Sequence, residues 1–166
     1  MATEIRRAAP GPTLEEIEEI VTDVGRSPWL WGQAVTFHPE RRSHRVLYKT
    51  PQLEIALFGW AAGQETLFHD HGGASGAAFI CSGVLVEDTI EALDGRIVTW
   101  QTFTRRAQTA FSFRSDCIHR VRHDPDYGVA LSIHAYTPTV SAPVDYEVLT
   151  DGTLRTLDAV PELQPS

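Results

Sequence analysis

The histidine pair in His69-Asp70-His71 is the first feature of this sequence that could do chemistry. On a β-strand, side chains alternate between the two faces, so residues two positions apart point the same way. His69 and His71 can therefore offer both imidazoles to one metal ion, while Asp70 points to the opposite face. His119, in a later strand-like segment with apolar neighbours, is the candidate third ligand. From the residues alone, surface histidines at 69 and 71 and a core or rim histidine at 119 remain alternatives.

A second set of polar side chains recurs at every second residue of one segment: Ser132, His134 and Tyr136. This spacing places all three on one face of a strand, where they can form a hydrogen-bonded row that orients the tyrosine hydroxyl. A polar stripe on a solvent-facing strand would have the same spacing. The residues alone do not separate these two interpretations.

Arg45 is the candidate for binding an anionic substrate, and Arg41 and Arg42 lie close to it in the sequence. A guanidinium is a planar, two-pronged donor that matches a carboxylate. One inward-facing arginine is enough to set a positive local field, although the chain carries a formal net charge of −8. An exposed arginine on an edge strand is the ordinary alternative.

One helix and a series of short strands must position these residues. A helix is predicted over residues 13–25, because Thr13 and Glu16 form a capping-box pattern and Gly25 is a natural stop. Short strands with turn residues between them, and no alternation with helices, predict an all-β sandwich or barrel with a short N-terminal helical segment. One domain over residues 13–166 is expected, after a disordered N-terminus at 1–12. The predicted strands are 44–49, 53–60, 65–71, 77–81, 84–90, 96–103, 109–113, 118–122, 128–136 and 145–149.

The composition of the chain limits its expected cellular location and the classes of partner that it could bind. The net charge of −8 argues against nucleic acid and anionic membrane surfaces, because both are polyanions. No stretch approaches the length of a transmembrane helix, and the first residues lack the apolar segment of a signal peptide. Two cysteines cannot form a disulfide framework, so a cytoplasmic location is expected. A monomer or weak homo-oligomer is expected.

The spacing around the histidine pair resembles the first motif of the cupin superfamily, and His119 matches its later histidine. The resemblance implies a cupin β-barrel, which is a double-stranded β-helix or jelly roll. Most metal-binding cupins place a glutamate ligand where this chain has Gly76, so a three-histidine site with open coordination positions and no ligand charge is implied. The matching residues of the first motif are Gly63, His69, His71, Gly76 and Gly83.

Within the cupins, segments 60–83 and 116–136 resemble the thiol dioxygenases, and most closely the short bacterial cysteine dioxygenases. The resemblance spans residues 40–140 and rests on the His-Asp-His motif, the Ile-His-Arg-Val segment at 118–121, the arginine before the first motif and the Ser-x-His-x-Tyr row. It implies that Fe(2+) is held by three histidines, that the hydroxyl of Tyr136 lies near substrate and O₂, and that Arg45 grips a carboxylate. The implied iron ligands are His69, His71 and His119, and the implied pocket residues are Ser132, His134 and Tyr136.

The activity that this resemblance implies is oxidation of L-cysteine with O₂ to cysteine sulfinic acid. Dioxygenation of 3-mercaptopropionate or another small thiol is the alternative, and those enzymes tend to carry glutamine in place of the arginine. A non-catalytic cupin that senses a metal or ligand is the alternative of another class. Mammalian cysteine dioxygenases have a cysteine, crosslinked to a tyrosine, where this chain has Gly76, so the state of Tyr136 stays open.

Overall fold

The computed structural model describes residues 11–157. It begins with helix α1 (Leu14–Gly25), and the predicted capping box is present: Thr13 Oγ1 accepts from the Glu16 amide, and the Glu16 carboxylate accepts from the Thr13 amide. Two 3₁₀ turns, Pro28–Leu30 and Gly32–Ala34, follow. Most of the N-terminus predicted to be disordered, and the last nine residues of the predicted domain, lie outside the described residues. No helix within 11–157 is long and apolar enough to cross a membrane.

Eleven strands follow within the described residues, and they form two antiparallel sheets. The five-stranded sheet has the order β1-β2-β9-β4-β7, and the six-stranded sheet has the order β11-β10-β3-β8-β5-β6. The strands are β1 (Ser43–Lys49), β2 (Glu54–Trp60), β3 (Phe68–His69), β4 (Ser75–Ser82), β5 (Val84–Leu93), β6 (Arg96–Arg106), β7 (Ala110–Phe113), β8 (Ile118–His123), β9 (Ala130–Thr137), β10 (Asp145–Val148) and β11 (Leu154–Thr156). The predicted all-β architecture with one short helix is confirmed.

The five-stranded sheet is covered on both faces, which is why β2 is buried along its whole length. Its inner face, with Phe58 and Trp60, packs against Leu85 and Val121 of the six-stranded sheet. Its outer face packs against α1. Any polar side chain on the inner face therefore lies between the sheets, away from bulk water.

All ten predicted strands are present, with shifted ends, and β11 was not predicted. The largest difference is β3, predicted over 65–71 but reduced to Phe68–His69. The chain leaves the sheet there because Gly72 and Gly73 adopt positive φ angles of 59° and 84°. Gly72 also lies so close to the Ser141 carbonyl that a Cβ would come within 1.7 Å of its oxygen.

Candidate active site

Three histidines meet on the inner side of the six-stranded sheet. His69 on β3 lies directly opposite His119 on β8, and His71 follows two residues after His69. The ring centroids are 4.8 to 5.1 Å apart, and one ligand atom from each ring lies within 4.8 Å of the other two. The structure therefore brings the three predicted ligands together. Asp70 points away, as predicted, and its carboxylate accepts bonds from the amides of Gly72 and Val144 and from the Tyr146 hydroxyl.

The three rings are supported in different ways. His69 Nδ1 lies 3.0 Å from the Leu67 carbonyl oxygen, and His119 Nδ1 lies 2.6 Å from Glu87 Oε1. His71 is stacked on Phe113, with centroids 4.6 Å apart, and both of its ring nitrogens are buried without a hydrogen-bond partner among the described residues. Leaving two buried nitrogens unpaired is costly, so His71 has the environment expected of a metal ligand.

The surroundings of His69 and His71 favour the neutral form of both rings. Burial, reinforced by the neighbouring His119, lowers the pKa of His69 to about 3 and that of His71 to about 2. Both rings are therefore neutral near pH 7, which is the form that binds a metal. The group fits a divalent metal ion, and three imidazoles alone do not define which one.

Glu87 is the carboxylate behind His119, and sequence reasoning missed it. It is 1 % exposed, and its Oε2 accepts from Arg105 Nε at 2.8 Å and Nη2 at 2.6 Å. Burial raises the pKa of Glu87, but the hydrogen bond from His119 and the charge of Arg105 outweigh it, and the pKa is lowered. No local motif marks Glu87, because its contact with His119 depends on the pairing of β5 with β8.

The glycine at position 76 has a neighbour that explains it. Gly76 on β4 lies opposite both Phe113 on β7 and Tyr136 on β9. A Cβ at this position would come 2.5 Å from Phe113 Cζ and 2.6 Å from the Ala135 carbonyl oxygen. The aromatic ring thus occupies the space of a side chain at 76, and the metal-ligand group found within 11–157 contains histidines alone.

The facing wall, on the five-stranded sheet, carries a continuous hydrogen-bonded row. Trp60 Nε1 donates to Ser132 Oγ at 3.0 Å, Ser132 Oγ lies 2.9 Å from His134 Nε2, and His134 Nδ1 lies 3.4 Å from the Tyr136 hydroxyl. Ser132 and His134 are buried, and so is Tyr136, which excludes the solvent-facing stripe. Burial lowers the pKa of His134 well below its usual value and raises that of Tyr136.

The first bond of this row has a fixed direction. An indole nitrogen can only donate, so Ser132 accepts from Trp60 and keeps its own proton and a second lone pair. When Ser132 gives this proton to His134 Nε2, His134 carries its own proton on Nδ1 and donates to the Tyr136 oxygen. In that arrangement the phenolic proton of Tyr136 is free, and the Tyr136 ring lies 5.4 Å from that of His71.

The structure does not bring the predicted arginine to the histidines. Arg45 is exposed on β1 and pairs with Leu57, a residue of the outer face packed towards α1. Directly opposite residues share a face, so Arg45 points away from the histidines. Arg42 is on the inner side instead, with its guanidinium 4.5 Å from the Phe58 ring centroid and 4.8 Å from that of Trp60.

The charge of Arg42 acts on both walls. Burial lowers the pKa of Arg42, while Tyr136 and Asp145 favour its charged form. In turn, Arg42 helps to lower the pKa values of His69 and His134. Arg42 is therefore close enough to both walls for its positive charge to act on the histidine group and on the hydroxyl row. Arg42 lies one residue before β1, so the alternation of side chains along a strand could not predict which way it points.

Comparison with solved structures defines the class. The TT1209 protein of Thermus thermophilus is 16 % identical, with a TM-score of 0.55 over 65 % of this chain and 93 % of that one. A cupin superfamily protein of Desulfitobacterium hafniense is 14 % identical, with a TM-score of 0.50 over 66 % of this chain and 88 % of that one. A Klebsiella pneumoniae protein with a double-stranded β-helix domain is 14 % identical, with a TM-score of 0.53 over 70 % of this chain and 93 % of that one. The fold is that of the cupin superfamily.

The sequence narrows this class to a family. The model of the family described as cysteine dioxygenase type I matches residues 10–147. The chain therefore belongs to the cysteine dioxygenase type I family. A search of curated proteins finds no match.

Proposed function

We propose that this protein is an iron-dependent thiol dioxygenase that oxidises L-cysteine with O₂ to cysteine sulfinic acid. The observation that carries the proposal is the group of three histidines between the sheets, with the buried Tyr136 and the half-buried Arg42 on the facing wall. In the overall reaction the thiol sulfur gains both atoms of O₂, and the sulfinic acid keeps the proton. Family membership supports this reaction class.

His69, His71 and His119 would hold the Fe(2+). When bound, the iron would supply the redox chemistry that joins a thiolate and O₂. The uncharged ligand set favours an anionic sulfur donor. The protein supplies the orientation of the substrate around this centre.

Arg42 is the proposed carboxylate-binding residue. Phe58 and Trp60 pack against its guanidinium and limit its motion. A guanidinium held in this way donates two parallel bonds to a carboxylate, which fixes the orientation of an amino-acid thiol. Arg42 thus takes the role that the sequence assigned to Arg45.

Tyr136 is the proposed donor to the reacting atoms. In the proposed direction of the row, Ser132 donates to His134 and His134 donates to Tyr136, which leaves the phenolic proton free. Burial keeps the phenol protonated by raising its pKa. A hydroxyl that is held in position away from bulk water can donate a hydrogen bond to oxygen or sulfur and stabilise the negative charge that develops there. Ser132 and His134 act as positioning residues.

Product analysis tests the proposal. Iron-loaded protein is incubated with L-cysteine under ¹⁸O₂, and the expected product is sulfinate that carries two labelled oxygen atoms. One labelled atom, or none, would contradict a dioxygenase. Parallel assays with 3-mercaptopropionate and cysteamine rank the substrates by kcat/KM. Absence of oxygen uptake with all three thiols would favour the non-catalytic sensor.

Arg42→Gln and Arg45→Gln form a matched pair of variants. Loss of a bidentate charged hydrogen bond, about 1.5–3 kcal/mol, should raise KM for cysteine about 10- to 100-fold in Arg42→Gln. Cysteamine has no carboxylate, so its turnover should change little. Arg45 is exposed on the outer face, and Arg45→Gln should match the unmodified protein with both thiols. The reverse pattern would return the role to Arg45.

The expected cytoplasmic location belongs to the same proposal. Cys81 and Cys117 are free thiols in the structure, and burial raises the pKa of each to about 12. Thiols that stay protonated react slowly with oxidants and with a thiol substrate. Their reduced state suits a reducing compartment.

A further inference from the structure

The three candidate ligands differ in what lies behind them. Leu67 offers His69 a neutral carbonyl oxygen, and His71 has only the face of Phe113. His119 alone is bonded to a carboxylate, with Nδ1 2.6 Å from Glu87 Oε1. Among residues 11–157 this is the one anionic group that hydrogen-bonds to a ring of the histidine group.

The contact fixes the protonation pattern of His119. A carboxylate can only accept here, because it is also held by two donors of Arg105. The shared proton therefore lies on Nδ1 of His119, and Nε2 keeps the lone pair that faces His69 and His71. His119 needs this partner to be a ligand, since a ring with its proton on Nε2 could not coordinate from that side.

Arg105 holds the Glu87 carboxylate in place by direct hydrogen bonds. Its guanidinium lies 4.0 Å from the Phe111 ring centroid and 4.5 Å from that of Phe103. Two donors engage Oε2, and the remaining oxygen is directed at His119. Glu87 is itself 1 % exposed, so neither oxygen turns to water.

We propose that Glu87, clamped by Arg105, is a positioning residue that fixes the tautomer of His119 and places a negative charge behind the metal site. Three imidazoles contribute no charge, so a carboxylate one ring away is the nearest built-in counter-charge for a bound cation. Partners of this kind orient the ligand and raise its basicity. The inference rests on the metal centre of the proposed function and is independent of the thiol chemistry.

The test compares Glu87→Gln with Asp88→Asn. Glu87→Gln keeps the shape but removes the charge and turns an amide against Arg105, so the affinity for Co²⁺ should fall about 10- to 100-fold. The d–d absorption bands of the bound Co²⁺ should shift as well, because the basicity of one ligand has changed. Co²⁺ binding needs neither O₂ nor thiol, so the result stands even if no thiol is oxidised.

Asp88→Asn is the matched control. Asp88 is the next residue of β5, is 2 % exposed and loses the same charge, but it faces outwards and pairs with Arg120 and Arg122. Its variant should bind Co²⁺ within about twofold of the unmodified protein, even where unfolding becomes easier. Equal affinity and equal Co²⁺ spectra in folded Glu87→Gln and in the unmodified protein would overturn the proposal. So would equal losses in both variants.

A measurement on the unmodified protein covers the case in which Glu87→Gln does not fold. Long-range ¹H–¹⁵N spectra of the metal-free protein report the tautomer of each histidine ring. The neutral His119 ring should carry its proton on Nδ1. A neutral His119 ring with its proton on Nε2 would overturn the proposal without any substitution.

Discussion

The two walls of the space between the sheets are built in opposite ways. On the six-stranded sheet, the backs of His69 and His119 are tied into the protein, so the ring nitrogens that face inwards are acceptors. On the five-stranded sheet, the bonds run along the wall from an indole donor and end in the Tyr136 hydroxyl. One wall presents lone pairs, and in the proposed direction of the row the other presents a proton. The first is suited to a cation, and the second to the anionic atoms of a ligand.

The largest expected effect comes from removing a lone pair from the first wall. In His119→Gln, metal affinity should fall more than about 100-fold, because loss of a ligand exceeds loss of its hydrogen-bond partner. Equilibrium titration with Co²⁺ measures it. His123→Gln is the control, since His123 is buried on the same strand and bonds to the Gly128 carbonyl. Similar affinities in the two variants would contradict the division between the walls.

The next effect comes from removing the proton of the second wall. Tyr136→Phe should lower kcat for cysteine about 100-fold, the scale of losing one aimed donor, with Co²⁺ affinity unchanged. Steady-state oxygen uptake and metal titration together separate these outcomes. Tyr48→Phe, at a half-exposed phenol on β1, controls for the loss of a hydroxyl elsewhere. A loss of metal affinity in Tyr136→Phe would mean that the walls are not separate.

The third effect is on the pH dependence of stability without metal, and it is the smallest of the three for a change of one pH unit. His69 and His71 have folded pKa values of about 3 and about 2, below the usual 6.5, so the unfolded chain takes up protons that the folded chain refuses. The free energy of unfolding should therefore fall as pH drops below about 6.5, by roughly 1 kcal/mol per pH unit for each ring. Urea unfolding from pH 7 to 4.5 measures the slope.

The control for this slope removes two buried histidines from one wall and keeps the buried histidine of the other. The double variant His69→Gln with His71→Gln should remove most of the dependence and leave the part that comes from His134, whose pKa is also lowered by burial. An unchanged slope in the double variant would show that these rings are already solvated in the folded protein.

Local patterns in the sequence were enough to predict most of the strands and the three members of the histidine group. The turn residues marked ten of the eleven strands, and the alternation at 69 and 71 put both rings on one side even though β3 ends at His69. The later histidine lay on β8, opposite His69. These features depend on neighbours in sequence or on a recurring motif.

The residues that sequence missed depend on long-range geometry. Arg45 lies on the outer face of β1, whereas Arg42 lies one residue before β1 and packs against Phe58. Which arginine lies inside therefore depends on where β1 begins and on its pairing with β2. Glu87 meets His119 only because β5 pairs with β8. Neither the face of an edge strand nor the register of a distant pair is encoded in the local pattern.

The close packing at Gly76 also has an evolutionary consequence. A glutamate ligand or a crosslinking cysteine at this position would collide with the Phe113 ring and with the Ala135 carbonyl of the adjacent strand. No single codon change can therefore convert this centre into a four-ligand cupin or into one with a thioether beside Tyr136. Either conversion needs a smaller residue at 113 and a displaced β4, so Gly76 and Phe113 are expected to have been inherited together.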